Sequence, residues 1–175
     1  MNEKEKVTIS IVTYPNKLLN KKSEDIVTID DSTTKLAKIM ALTIRQFNGI
    51  GLSAIQIGIP KNIIVINVTG KDSDNLVLIN PVIVSTSEEQ ISLSEGCLSI
   101  PDIYVNIKRP RKVKVAATSL NGERSELEFD GLAARAVQHE VDHLTGVLLL
   151  DKLGGVRRHM IEDKLKKLRN FKAPS

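Results

Sequence analysis

The chain has 175 residues, of which 41% are hydrophobic and 26% charged, so we expect one domain, spanning 1–175, with a sizeable core. The absence of Trp and an aromatic fraction of only 3% argue against a protein that stacks bases, and we expect no DNA partner. The net charge of +4 is concentrated near the C-terminus, where eight basic residues stand against two acidic ones between Lys152 and Lys172.

The cellular location is indicated by features that the sequence lacks. Cys97 is the only cysteine, which excludes an intrachain disulfide and favours a reducing compartment. The charged N-terminal stretch has no long apolar region typical of a secretory signal, and no apolar stretch approaches the roughly 20 residues that span a bilayer. We therefore expect a cytoplasmic protein without a membrane partner.

The first half of the chain is predicted to contain one helix followed by strands. Asp30 or Asp31 can cap the helix, and Asn48-Gly49 ends it. Three β-rich segments follow, at residues 62–68, 76–86 and 91–94. Pro81 interrupts the second of them, so we expect a bend or a sheet edge there.

The second half begins with a predicted hairpin, because residues 111–129 alternate polar and apolar side chains around an Asn121-Gly122 turn. A second helix then runs from a cap at Asp130 to a stop at Gly146. Residues 147–150 are predicted as a short buried strand. The basic segment 156–171 is predicted as one amphipathic helix with an apolar face formed by Val156, Met160, Ile161, Leu165 and Leu168.

These elements predict an α+β fold. Antiparallel or mixed β-sheets would surround the second helix, and the amphipathic helix would close the chain. The second helix is apolar on two sides, which indicates that it is buried. The two apolar stripes are Leu132, Ala136, His139 and His143 on one side and Ala133, Val137, Val141 and Leu144 on the other.

The buried helix carries a metal-binding pattern. His139 and His143 lie one turn apart, with Glu140 between them. In metal hydrolases that carry His-Glu-x-x-His on a helix, the imidazoles bind the ion and the glutamate acts as general base. The alternative is a pair of hydrogen-bonded core histidines, which would leave the Glu140 carboxylate without a partner in an apolar environment.

The third ligand distinguishes between several kinds of protein. We favour Cys97, because one thiolate and two imidazoles leave an open position on a tetrahedral ion, as catalysis requires. A metallopeptidase could instead use Glu162, nineteen residues after His143, although Glu162 lies in the most basic stretch of the chain. A protein that binds RNA or the ribosome through the basic helix and holds a structural metal is a third possibility, and it would need a fourth protein ligand.

A glycine-rich stretch, GIGLSAIQ, occupies residues 49–56. It lacks the Lys-Ser/Thr ending of a phosphate-binding loop, and it follows a helix, whereas a dinucleotide-binding fingerprint follows a strand. Read alone it indicates no more than a helix stop and a turn. Gln56 ends the apolar run, and its carboxamide could donate a hydrogen bond to a developing oxyanion.

Taken together and in order, GIGLSAIQ (49–56), EGCLS (95–99) and QHEVDHL (138–144) resemble the three signature motifs of the peptide deformylases. These enzymes remove the formyl group from the initiator methionine of new polypeptides. The resemblance covers nearly the whole chain, including TYPNKLL (13–19) and KRPRKVKV (108–115).

The resemblance implies a role for each motif. Cys97, His139 and His143 would bind the metal, Glu140 would act as acid and base, and the formyl oxygen would be held by Gln56 and the backbone N–H of Leu98. The implied ion is Fe²⁺, with Ni²⁺ or Zn²⁺ as substitutes. The implied partners are N-formylmethionyl nascent peptides and, through the C-terminal helix, the ribosome.

We expect the substrate to lie extended against a strand edge, with backbone contacts from Ile50, Gly51 and Gly96. Ile50, Leu132 and Ala136 are the expected walls of an apolar pocket for the methionine side chain. Leu132 and Ala136 precede His139 on the same helical stripe, so this pocket would adjoin the metal.

Three other positions carry expectations. Ser53 stands where the family usually has alanine, and we expect a small effect on packing and none on the chemistry. Tyr104 is expected to line the substrate groove. Asp142 is expected to pair with Arg109 and so steady the helix that carries the histidines.

Overall fold

The structure, a computed structural model, describes residues 10–170, so Phe171, the predicted end of the C-terminal helix, lies outside the described residues. The strands in this range are β1 (Gly51–Ser53), β2 (Ile63–Ile66), β3 (Leu76–Thr86), β4 (Gln90–Cys97), β5 (Ile100–Pro110), β6 (Lys112–Thr118) and β7 (Arg124–Asp130). The α-helices are α1 (Asp31–Gln46), α2 (Gly131–Leu144), α3 (Gly155–Met160) and α4 (Glu162–Asn170). No helix in the described range is both long and apolar enough to cross a membrane.

The strands form two antiparallel sheets, which confirms the predicted fold class. Five strands form one sheet in the order β1-β2-β3-β6-β7, and β4 and β5 form a separate two-stranded sheet. Pro81 lies where β3 changes partners: residues 76–79 pair with β2, whereas residues 82–86 pair only with β6. The predicted bend is therefore a register shift, since proline has no N–H for a continuous ladder.

Both faces of the five-stranded sheet are covered, which explains why β2 is apolar throughout. Ile64 and Ile66 face α2, whereas Ile63 and Val65 face α1, because successive side chains of a strand point to opposite sides. A third apolar cluster joins β5 to the C-terminal segment, and Leu165 of α4 is fully buried in it. Helix α2 thus lies between the large sheet and the β4–β5 hairpin.

Local signals set the helix boundaries. The Asp30 carboxylate accepts a hydrogen bond from the Thr33 N–H at 3.1 Å, so the predicted cap of α1 is confirmed. Asp130 occupies the residue before α2 but makes no cap, because its carboxylate pairs with Arg111 at 3.0 Å. Gly146 follows α2 with a φ of 77°, a left-handed conformation that favours glycine.

Two predictions for the C-terminal third are wrong. Leu148, Leu149 and Leu150 are buried as predicted, but residues 147–150 form no strand. A 3-10 helix runs from Leu149 to Lys152, and the Asp151 carboxylate accepts from the Leu148 N–H at 2.8 Å. The single helix over 156–171 is interrupted at Ile161 and becomes α3 and α4.

The interruption divides the predicted apolar face of that helix. Leu165 is fully buried, and Ile161 and Leu168 pack partly against the same cluster. Val156 and Met160, in contrast, are 80% and 78% exposed. Only the part of the stripe from Ile161 onwards therefore packs on the core, and the part in α3 is exposed.

Candidate metal centre and active site

Two parts of the fold bring the three predicted metal ligands together. Helix α2 presents His139 and His143 on one face, and the end of β4 brings Cys97 opposite them. The Cys97 Sγ lies 3.1 Å from the His143 Nε2, and one ligand atom from each of the three residues lies within 4.8 Å of the others. A register shift between Glu95 and Cys97 ends the regular β4–β5 pairing at this point.

No other group of three His, Cys, Asp or Glu side chains among residues 10–170 has ligand atoms so close together. Glu162, the alternative third ligand, pairs with Arg169 at 3.0 Å in α4. The cluster also lacks a fourth protein ligand within the described part of the chain, so it has the composition of an open site and not of a closed structural one.

The electrostatics of the cluster fit a cation. Burial alone would raise the pKa of the Cys97 thiol, but the imidazoles of His143 and His139 outweigh it, and the pKa lies well below its ordinary value. Burial alone would lower the pKa of His139, but hydrogen bonds to Cys97 and Glu95 outweigh it, and the pKa lies well above its ordinary value. A buried thiolate that attracts positive charge is a suitable donor for a divalent ion, which would replace the imidazole protons.

A buried ionic network holds the histidines in place. The Glu95 carboxylate lies 3.1 Å from His139 Nδ1 and accepts from Arg109 Nε at 2.7 Å, and it also pairs with Arg135. Burial would raise the pKa of Glu95, but the hydrogen bonds from His139 and Arg109 lower it to about 2. The carboxylate fixes the His139 ring with Nε2 towards the cluster, as is common for metal-bound histidines.

The predicted pairing of Arg109 with Asp142 is confirmed, with Arg109 Nη1 donating to Asp142 Oδ2 at 2.8 Å. The sequence reasoning missed Glu95 and Arg135. A signal existed for each: Glu95 is part of the EGCLS motif, and an arginine inside a helix predicted to be buried needs an acidic partner.

Glu140 is a buried carboxylate beside the cluster. Its Oε2 has no hydrogen-bond partner among the described residues, and burial raises the pKa of the group. Gly51 of β1 allows this placement, because a Cβ at Gly51 would lie 2.8 Å from Glu140 Oε1. A larger residue in β1 would therefore displace the carboxylate.

Two predicted hydrogen-bond donors lie close to Cys97. The Gln56 carboxamide is buried, and its Nε2 lies 3.6 Å from Cys97 Sγ. Leu98 follows Cys97 in the turn between β4 and β5, and its backbone N–H has no acceptor within the described residues. At the other end of the carboxamide, the Gln56 Oε1 accepts a hydrogen bond from the Ser53 hydroxyl at 2.9 Å. An alanine at position 53 could not make this contact, which was not predicted from the sequence.

A groove of about 630 Å³ opens onto the cluster and onto Glu140, Gln56 and Leu98. The five residues predicted to bind substrate all line it: Ile50, Gly51, Gly96, Leu132 and Ala136. Ile50 and Leu132 are partly exposed at its walls, whereas Ala136 is buried. Tyr104 also lines the groove, and its ring lies so close to Gly96 that a Cβ there would fall 2.6 Å from Tyr104 Cε1.

An open Cys/His/His cluster, beside a buried carboxylate with one oxygen free of hydrogen bonds and a groove of this size, is the site of a metal-dependent hydrolase. Residues 8–159 match the family model described as polypeptide deformylase, and the chain belongs to that family. The family and the enzyme class predicted from the motifs are thereby confirmed.

Curated relatives and solved structures agree with this assignment. The chain is 41% identical to the peptide deformylase of Bartonella tribocorum over 162 residues, which is 90% of this chain and 91% of that protein. It is 41% identical to the peptide deformylase of Rhizobium meliloti over 153 residues, 86% of this chain and 88% of that one. The fold matches a plant peptide deformylase with a TM-score of 0.89 at 34% identity, covering 97% and 93% of the two chains. It matches the Plasmodium falciparum peptide deformylase with a TM-score of 0.89 at 36% identity, covering 94% and 98%.

Proposed function

We propose that the groove and the Cys/His/His cluster carry out the reaction of the family, hydrolysis of the N-formyl group on the initiator methionine of new polypeptides. Removal of that group is the function of the peptide deformylases, to which the chain belongs. The observation that carries the proposal is the cluster of Cys97, His139 and His143, whose ligand atoms lie within 4.8 Å of one another. It lies beside Glu140, whose Oε2 has no hydrogen-bond partner among the described residues, and it opens to a groove.

Cys97, His139 and His143 would hold the metal ion. Once bound, the ion supplies a Lewis acid that polarises the formyl group and lowers the pKa of water. We propose Fe²⁺ as the ion, with Ni²⁺ or Zn²⁺ as substitutes, because the resemblance to the deformylases implies this choice. One thiolate and two imidazoles suit each of these ions. The family membership and the donor set support a metal requirement.

Glu140 would act first as general base and then as general acid. Burial raises its pKa, which brings the carboxyl closer to the neutral range where proton transfer in both directions is efficient. It would take a proton from the attacking water and give that proton to the amine that leaves with the peptide. Formate and a peptide with a free N-terminus are the products.

Gln56 and Leu98 would stabilise the oxyanion that forms when the formyl carbon becomes tetrahedral. The Gln56 Nε2 lies near Cys97, and the Leu98 N–H belongs to the next residue of the chain. Each donor of this kind contributes roughly 3 kcal/mol to the stability of a transition state.

The peptide would lie between the two sheets as an added strand. β1 is an edge strand of the larger sheet and β4 belongs to the hairpin, and Gly51 and Gly96 from these strands line the same groove. An extended peptide could therefore pair with backbone groups on both sides. Its methionine side chain would enter an apolar pocket with Ile50, Leu132 and Ala136 as walls. Because β1, β4 and α2 all contribute, we treat 1–175 as a single catalytic domain.

Formate release from formyl-Met-Ala-Ser by the anaerobically purified, iron-loaded protein tests the proposed function. We expect formate and Met-Ala-Ser in equal amounts, and metal analysis of the same preparation should give about one ion per chain. An acetylated Met-Ala-Ser peptide serves as the control for general amide hydrolysis. A fully metal-loaded protein that releases no formate would overturn the assignment.

We further propose that the chain works in the cytoplasm and docks on the ribosome through α3 and α4. The support is a set of exposed basic side chains on these helices, among them Arg157, Lys164 and Lys167. Truncation is a poor test, since Leu165 is part of the core. Reversing Lys164 and Lys167 to glutamate should abolish salt-sensitive cosedimentation with ribosomes, whereas reversing Lys35 and Lys38, exposed on α1, should not. Equal cosedimentation of the two variants would exclude docking through α4.

A further inference from the structure

The Gln56 carboxamide is held at both of its ends. Its Oε1 accepts two hydrogen bonds from one residue, from the Ser53 N–H at 2.8 Å and from the Ser53 hydroxyl at 2.9 Å. Its Nε2 donates to the Ser99 hydroxyl at 3.3 Å and points towards Cys97. Ser53 and Ser99 are fully buried, so water does not compete for these contacts.

These contacts determine which terminal atom of the Gln56 carboxamide is the oxygen and which is the nitrogen. A backbone N–H can only donate, so the atom of Gln56 that faces the Ser53 N–H must be the oxygen, and Nε2 must then face Cys97. The Ser53 hydroxyl is the second donor on the same oxygen, and it occupies the remaining lone pair. An alanine at position 53 would keep the first donor and lose the second.

A donor on the amide oxygen affects the other end of the group. It draws electron density from the amide, which makes the N–H of Nε2 a stronger donor, because hydrogen bonds in a chain polarise one another. It also restricts rotation of the carboxamide about its terminal torsion, which is otherwise broad. Both effects act on the Nε2 N–H, the group that would bind the developing oxyanion.

We propose that Ser53 is a positioning residue for deformylation: its hydroxyl orients the Gln56 carboxamide towards the oxyanion. This inference rests on the proposed function, and in particular on Gln56 as an oxyanion donor. Within the described residues Ser53 makes no hydrogen bond to a metal ligand, and its hydroxyl also lies near the Glu140 carboxylate. The alternative is the expectation from the sequence, that a serine at this position leaves the chemistry unchanged.

The test is Ser53→Ala, assayed for formate release from formyl-Met-Ala-Ser with the iron-loaded protein. Loss of one neutral hydrogen bond corresponds to a two- to tenfold effect, and we expect kcat to fall by about that factor. KM should stay within about twofold, because the contact strengthens binding of the transition state and not of the ground state. The variant should fold, since the substitution removes a single oxygen atom and introduces no steric clash.

A double-mutant cycle separates positioning from packing. In a Gln56→Ala background the amide is absent, so adding Ser53→Ala should leave the residual kcat unchanged. The matched control is Ser23→Ala, which removes another buried hydroxyl, one without a hydrogen-bond partner among the described residues; its kcat should equal that of the parent. A further loss in the Gln56→Ala background would show that Ser53 acts by packing, and would overturn the proposal.

The pH profile gives an independent readout. The Ser53 hydroxyl also lies near the Glu140 carboxylate and lowers the pKa of that group, so Ser53→Ala should lower the plateau of kcat and also shift the profile to higher pH. A shifted profile with an unchanged plateau would mean that the hydroxyl serves Glu140 alone, and the proposal would be wrong. If the parent is active, Gln56→Ala is defective and Ser53→Ala is normal, this inference alone is wrong. If the parent itself is inactive, the proposed function is wrong.

Discussion

Substitution of Gly51 by alanine tests whether the position of the Glu140 carboxylate limits the reaction. A Cβ at Gly51 would lie 2.8 Å from Glu140 Oε1, 3.0 Å from Glu140 Cγ and 3.1 Å from Ile66 Cδ1. Ordinary contact with a Cβ begins at 3.4 Å, so the carboxylate must move by about 0.6 Å. Misplacement of a catalytic group by about 1 Å can cost a factor of about 100, and we therefore expect kcat to fall by about 10- to 100-fold.

The assay of Gly51→Ala is steady-state formate release, with thermal unfolding and metal content measured on the same preparation. The ligands are untouched, so the metal content should stay the same, and overpacking should lower the free energy of unfolding by about 1–3 kcal/mol. KM should change little, because the added methyl group points at Glu140 and leaves the backbone of β1 in place. Gly154→Ala is the matched control, since no heavy atom lies within 4 Å of its Cβ position. A Gly51→Ala enzyme with the parent kcat would refute the argument that the carboxylate must stay where it is.

Four other substitutions test the remaining assignments. Glu140→Gln should retain the metal and lose a factor of about 100 to 10,000 in kcat, so near-normal turnover would rule out the acid–base role. Cys97→Ala should lose metal by elemental analysis, and full occupancy would exclude the thiolate as a ligand. Glu162→Ala should leave kcat unchanged, because Glu162 is engaged by Arg169; an inactive variant would favour the metallopeptidase alternative. The folded-state pKa of Glu95 is lowered from 4.5 to about 2, so its contribution to stability is complete above pH 4.5 and is lost as the pH falls towards 2. That contribution is on the order of 3 kcal/mol, and acid unfolding of the apoprotein should show no such decline in Glu95→Gln.

The elements that the sequence predicted correctly are those with local signals. The cap at Asp30, the Asn121-Gly122 turn and the stop at Gly146 each act within a few residues, and α1, the β6–β7 hairpin and α2 form as predicted. Hydrophobic periodicity also identified α2 as buried, because a helix that is apolar on two sides can bury both apolar faces only between two layers of structure.

The predictions that were wrong depended on packing partners. A four-residue apolar run such as 147–150 has no period that separates a strand from a helical turn, and the Asp151 carboxylate that caps the 3-10 helix decided the outcome. The break at Ile161 leaves Val156 and Met160 exposed, although their spacing fits the stripe that contains Leu165. Hydrophobic periodicity indicates which residues share an apolar face of a helix, but it does not show that another element packs against that face.

The candidate site also contains residues that the sequence predicts and residues that it does not. Its metal-binding and catalytic side chains belong to short motifs and were named from the sequence, whereas the groups that orient them were not. The sequence predicts Ser53 to be equivalent to alanine, because its hydrogen bond depends on where the Gln56 carboxamide folds back. It does not predict the role of Glu95, because the partners Arg109, Arg135 and His139 lie in β5 and α2, far from Glu95 in the chain.

The position of Cys97 relative to the histidines depends on side chains more than on backbone pairing. Cys97 belongs to the β4–β5 hairpin, whereas α2 packs on the five-stranded sheet, and the two sheets share no strand pairing in the described range. The hairpin is joined to α2 by Arg135, which pairs with Glu95 and donates to the carbonyl oxygens of Ile107 and Ile91. An ionic network that is fully hydrogen-bonded holds one geometry, because any displacement would leave a charge buried without its partner. The Glu95 network therefore holds the hairpin that carries Cys97 against the helix that carries the two imidazoles.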